Sequence, residues 1–192
     1  VAQQSTIIEE LMAAGRGVSA LLMGDRQAGS WFDFSQRGLY GSFIALLAAT
    51  AISACLPLAM GSSAPGDITR SVLTYALLFA MQVAFSAIVL RQLKRIDGLV
   101  PYLVADNWAS FFITLISAAV TALGFDGDFA LIVFAILVVI IEVNIARLVV
   151  TLSPLQIAMF IVAQLVGVLI GLAFIGMLFP LPPDAVAQTT AA

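Results

Sequence analysis

FALIVFAILVVIIEVNIARLVV, residues Phe129–Val150, decides the architecture of this chain. No charged side chain appears before Glu142, and Phe129–Ile141 is apolar without a break. A helix rises about 1.5 Å per residue, so about 20 such residues cross the roughly 30 Å of hydrocarbon in a bilayer. A helix on a soluble core keeps one polar face, whereas one apolar all round requires lipid or burial. Four further stretches read the same way. Leu39–Met60 and Ser71–Leu90 carry no charge, and Leu155–Phe179 is equally apolar. Leu99–Leu123 contains Pro101 and the pair Asp106–Asn107. It reads as one irregular span, in preference to a re-entrant segment followed by a helix from Asn107. The expected fold is all-α, a bundle of five transmembrane helices.

Composition agrees. Hydrophobic residues make up 62% of the 192 and charged residues 10%, with a mean hydropathy of +1.11. A soluble domain carries roughly a quarter charged residues, so this chain lacks the polar surface to face water all round. Its net charge of −3 argues against a nucleic-acid partner, which demands a basic face. It has no histidine, the commonest general base and metal ligand. The single cysteine, Cys55, forms no intramolecular disulfide and reads as a small buried hydrophobe. No catalytic set, phosphate-cradling loop or metal-ligand spacing is present, so no cofactor is expected, and the two aspartates of Gly124–Asp128 read as a solvated turn.

Ahead of the spans, Thr6 and Glu9 make a capping-box pattern that opens a helix with apolar Ile7, Ile8, Leu11, Met12, Val18, Leu21 and Leu22. Glu9, Glu10 and Arg16 make it too polar to span, and Ser5–Met23 lacks the uncharged core of a signal peptide. The helix is expected on the membrane surface or docked on a partner. The connector from Gly24 to Gly38 holds Trp31, Phe32 and Phe34, which suit an interfacial belt. The chain therefore divides into an amphipathic helix and connector (1–38), a five-span bundle (39–179) and a proline-bearing tail (180–192) expected to be disordered.

Basic residues set the orientation. With the N-terminus in the cytoplasm, Arg16, Arg26, Arg37, Arg91, Lys94, Arg95 and Arg147 all fall inside, and of the eight only Arg70 falls outside. The expected location is a bacterial inner membrane, multi-pass, N-terminus cytoplasmic and C-terminus periplasmic, in contact with lipid.

Three stretches carry a family likeness: FDFSQRGLYGSF (Phe32–Phe43), YLVADNWASFF (Tyr102–Phe112) and Ile145-Ala146-Arg147. Together they resemble small polytopic inner-membrane proteins of alphaproteobacteria, some loosely labelled transporters. The resemblance implies an inner-membrane location and assigns no chemistry.

Polar residues inside the spans are the candidate site. Gln82, Asn107, Glu142 and Gln164 each lie eight or nine residues from the cytoplasmic end of their span, roughly 12–14 Å deep. Asp106 is a second titratable group near this level. Glu142 and Arg147 are five apart, about 140° round the helix, so they do not pair, whereas Asn144 and Arg147 can. Arg147 is close enough to the edge to snorkel. An ionised Glu142 costs about 2.5–3.5 kcal/mol at that depth, so it is expected neutral or held by another helix, with Gln164 the first candidate. The layer reads as interhelical glue ahead of a proton or ion relay.

Ala163, Gly167 and Gly171 form a small-residue packing face on the fifth span, with Gly176 off register, and Gly41, Ala45, Ala49 and Ser53 form another on the first. These faces and the N-terminal helix favour a non-enzymatic protein that works by association. It would be an accessory, scaffold or assembly subunit bound to other membrane subunits, or a homo-oligomer. The competing reading is a small transporter or channel built on the polar layer around Glu142.

Overall fold

The computed structural model describes residues 6–61, 66–125 and 127–179. Loop residues 62–65, Asp126 of the acidic turn and the tail from Pro180 lie outside them. The described chain is helical: α1 (Ile7–Met23), α2 (Gln36–Ala59), α3 (Asp67–Gln92), α4 (Leu99–Ala122), α5 (Asp128–Asn144) and α6 (Pro154–Leu178). Five of these elements, α2 to α6, are long and apolar enough to cross a membrane. Large apolar side chains cover their outside, Leu47, Phe129, Leu131 and Leu169 among them, each well over half exposed. Such a surface suits the hydrocarbon of a bilayer. The chain is a polytopic all-α membrane protein.

Local chemistry sets the helix ends. Thr6 Oγ1 accepts from the Glu9 backbone N–H at 3.3 Å and Glu9 Oε2 accepts from the Thr6 N–H at 2.7 Å, completing the capping box. Gly24, at φ 68°, ends α1 in the left-handed conformation that glycine adopts without strain. Ser153 and Gln156 make a second capping box, with Pro154 at the first turn of α6. Leu99–Ala122 is one continuous helix through Pro101 and Asp106. Pro101 sits in its first turn, where its missing N–H costs nothing. A π-helical turn, Ile145–Val149, closes the fourth span.

Helices α2, α4 and α6 run one way and α3 and α5 the other. The closest packing joins α2 to α4 and α3 to α6, and the two pairs meet less intimately. The end carrying α1 is dense. There Tyr102–Ala109 of α4 are buried in succession, with Leu21, Leu90, Ile145, Val150 and Phe160 around them. Toward the other end no residue of α5 before Ile141 is buried, and none of α4 beyond Ala109. One half of the bundle is solid and the other splayed.

The N-terminal helix docks on its own bundle. Ala14, Gly17, Val18, Ala20 and Leu21 are buried, and Asn144 Nδ2 donates to the Leu21 carbonyl at 2.8 Å. Asn144 therefore pins α1 and does not pair with Arg147, which is exposed. Phe32 is buried under Gly17, where a Cβ would stand 2.6 Å from the ring, and it stacks on Phe34. Trp31, beneath the Arg16 guanidinium at 5.4 Å, keeps an exposed edge. Glu10 lies against Gly41, leaving no room there for a Cβ. Partial burial, then the Asp33 carboxylate, push the Glu10 pKa above its ordinary value, with Arg37 opposing.

The small-residue faces are also used within the chain. A Cβ at Gly167 would lie 2.9 Å from Phe85 Cδ2, and one at Gly171 2.9 Å from Leu78 Cδ2, so α6 closes on α3 through its glycines. Ala163 packs partly buried against the core, while Gly176 faces open space. On α2, Ala45 and Ala49 are buried. Cys55 is exposed on the membrane face of α2, contrary to its expected burial, because the splayed half has no neighbour to cover it.

Candidate functional site

Where the solid half of the bundle meets the splayed half, four helices bring polar side chains together. Tyr102 of α4 is fully buried, its ring edge-on to Phe160 at 5.0 Å. Its hydroxyl accepts from Gln82 Nε2 of α3 at 2.7 Å and donates to Gln164 Oε1 of α6 at 3.2 Å. The same Gln82 Nε2 also reaches Asp106 Oδ2 at 3.2 Å. Glu142 of α5 lines the same space as Gln82, Asp106 and Gln164. An ionised carboxylate away from water is costly without a cation, so a carboxyl pair in this setting holds protons.

Gln82, Glu142 and Gln164, expected at one depth, line one cavity in the structure. It replaces Asn107 with its neighbour Asp106. Consecutive helical residues differ by about 100°, so the two point apart. Asn107 Nδ2 donates to Ser42 Oγ of α2 at 3.1 Å, and Ser42 in turn donates to the Leu39 carbonyl at 2.8 Å. Asn107 is thus glue between α2 and α4, and Asn144 belongs to the α1 contact. Tyr102 was missed. Its signal was there, since it precedes Asp106 by four residues and so shares its face.

Above this cluster opens a cavity of about 730 Å³ between the two helix pairs. Gln82, Asp106, Glu142 and Gln164 form its floor, and its walls are mostly apolar, with Phe43, Phe79 and Val168 among them. Hydroxyls of Thr50, Ser53, Ser110 and Thr114 dot the upper walls. Leu47, Val139 and Leu165 line the cavity and are also more than half exposed, so its mouth reaches the lipid-facing surface. Two buried floor atoms, Glu142 Oε2 and Gln164 Nε2, have no hydrogen-bond partner. A buried polar atom without a partner costs about 1–3 kcal/mol. Here one acceptor and one donor incur that cost beside an apolar space of ligand size.

Below the floor there is no path. Tyr102, Phe160, Val104 and Ile145 are fully buried there. At that end Arg95 clamps the turn between α5 and α6. Its guanidinium donates to the Val150 carbonyl at 2.6 Å, Thr151 Oγ1 at 2.8 Å and the Thr151 carbonyl at 3.1 Å. Thr151 has φ 60°, a conformation that β-branched residues rarely adopt. The clamp holds the chain where the fourth span ends.

No family model, curated protein or solved structure matches the chain.

Proposed function

We propose that this chain is a small proton-coupled carrier of the bacterial inner membrane, and that its cavity binds the solute it carries. The observation that carries this reading is the floor: two carboxyls and two unpartnered polar atoms beneath about 730 Å³ of apolar-walled space. Interhelical glue such as the Asn107–Ser42 bond also leaves Asn107 Oδ1 unpartnered, but Asn107 does not line the cavity. The floor differs in keeping an acceptor and a donor free and facing a cavity. Ionisable groups deep in a membrane bundle line substrate and proton paths when they face a cavity.

The association reading loses its supports to the monomer. The docking helix sits on its own bundle, and the glycine face of α6 is filled by Phe85 and Leu78. The carrier reading needs no partner subunit and no enzyme chemistry. In it Asp106 and Glu142 hold and release the coupled proton, while Gln82, Gln164 and Tyr102 orient them. The solid half closes the route on the cytoplasmic side, following the bias of basic residues to that end.

Vesicles carrying the purified chain and a trapped pH dye test this directly. With an imposed pH gradient, apolar-bodied solutes of cationic, neutral and anionic type are added in turn. At least one class should collapse the gradient faster through the parent than through a folded Glu142→Gln variant. A parent indistinguishable from protein-free vesicles across all three classes contradicts the reading.

A further inference from the structure

The charge and shape of the cavity point to a class of solute, and we infer that it takes an amphiphilic organic monocation, bound in exchange for one proton of the Asp106 and Glu142 carboxyls. This deepens the carrier reading and rests on it. Among the described residues lining the cavity, the only ionisable groups besides tyrosine are the carboxyls of Asp106 and Glu142. An anion would meet those carboxyls with no arginine or lysine to balance it. A neutral solute would leave the carboxyl pair as it is.

A cation answers each feature of the floor. Glu142 Oε2 offers it a free acceptor, and a positive charge is what a carboxylate in an apolar setting lacks. Phe43 and Phe79 pack edge to face at 5.9 Å in the wall, and Tyr75 also lines it. Ring faces attract a cation electrostatically, more so where water is excluded. The rest of the wall suits an apolar body. The volume lies within the roughly 300–1,000 Å³ that encloses a drug-sized ligand. Because the mouth reaches the lipid-facing surface, a solute already partitioned into the bilayer enters without crossing water.

The exchange balances. One proton of the carboxyl pair leaves to the water as the monocation arrives, so the charge of the site is unchanged. No covalent bond is made and no electron moves. The titratable groups facing the site from the surrounding helices are Asp106 and Tyr102 of α4, Glu142 of α5 and Tyr75 of α3. The linked proton is assigned to the carboxyl pair.

Two ions of one shape and opposite charge, tetraphenylphosphonium and tetraphenylborate, test the inference on the parent protein. Equilibrium dialysis of the full chain in mild detergent reads their binding, and a pH dye in weak buffer reads proton release. The inference expects saturable phosphonium binding, about one proton released per cation, and affinity rising up to about tenfold per pH unit while that proton is held. Borate should not bind. Equal binding of both ions, binding of borate alone, or binding of neither overturns it. So does a folded Asp106→Asn/Glu142→Gln variant that keeps the parent's phosphonium affinity and pH slope. If a neutral or anionic solute collapses the vesicle gradient while phosphonium does not bind, the inference falls and the carrier reading stands.

Discussion

Leucine at Gly167 and leucine at Gly176 should have opposite consequences, though both replace glycine on the same helix. At either site the substitution gains helix propensity, about 1 kcal/mol between glycine and a good helix former. The difference therefore isolates packing. A Cβ at Gly167 would sit 2.9 Å from Phe85 Cδ2, 3.0 Å from Cγ and 3.4 Å from Cβ, whereas at Gly176 nothing lies within 4 Å. Phe85 Cβ is at ordinary contact distance, so the clash is with Cγ and the ring, which fill the seam between α3 and α6. Leucine adds three more carbons, and α6 must move off α3. Overpacking of this kind costs about 1–3 kcal/mol. At about 2–4 °C per kcal/mol for a chain of this size, Gly167→Leu should melt about 2–12 °C below Gly176→Leu in mild detergent. Gly176→Leu should match the parent or exceed it. Equal melting temperatures for the two variants would refute the glycine-mediated contact between α3 and α6.

Arg95→Ala removes three hydrogen bonds from the α5–α6 turn and should destabilise the bundle by about 2 kcal/mol, at roughly 1 kcal/mol or less per bond net. Arg95→Lys should recover less than half of this in chemical unfolding, because an ammonium does not reproduce the fork. Glu10 has a folded pKa above its unfolded one, so docked α1 binds the proton more tightly than free α1 does. Its contribution is therefore full below the unfolded pKa and lost as pH rises through the folded pKa. Hydrogen exchange over Ile7–Met23, compared with Glu10→Gln at each pH, should show α1 loosening toward neutral pH in the parent more than in the variant, and parallel profiles would count against it. A periplasm-active reporter should work when fused after Ala192 and be silent after Arg95, and the converse pattern contradicts the orientation.

Much of this architecture was legible because a bilayer imposes one dominant rule. Backbone polar groups in hydrocarbon must be satisfied within a helix, so Phe129–Val150 and its four counterparts read as spans from length and apolarity alone. The caps were equally local, as Thr6 and Glu9 show. Depth along a span was readable too, because rise per residue is fixed. Azimuth was not. Whether Asp106 or Asn107 faces the cluster depends on how α4 is rotated against α2 and α3, which a single helix does not encode. Asn144 was misassigned for the same reason, since its partner is a backbone carbonyl 123 residues away. The cavity is a property of loose contact between two helix pairs, and no stretch of sequence announces it.

Glu142 offers the most direct test of the central claim, that the carboxyl pair under the cavity exchanges a proton during function. Glutamine keeps its size and hydrogen-bonding capacity and removes the exchangeable proton, while leucine removes both. A structural carboxyl would tolerate glutamine, and leucine would cost about 0.6 kcal/mol, rising to about 1.7 at most, as hydrogen bonds in membrane proteins do. The measurement is solute-driven proton flux in vesicles beside thermal stability, for the parent and both variants. The account predicts a Glu142→Gln protein that melts with the parent and has lost the flux. Glu142→Gln retaining full flux would contradict it and return Glu142 to the role of interhelical glue.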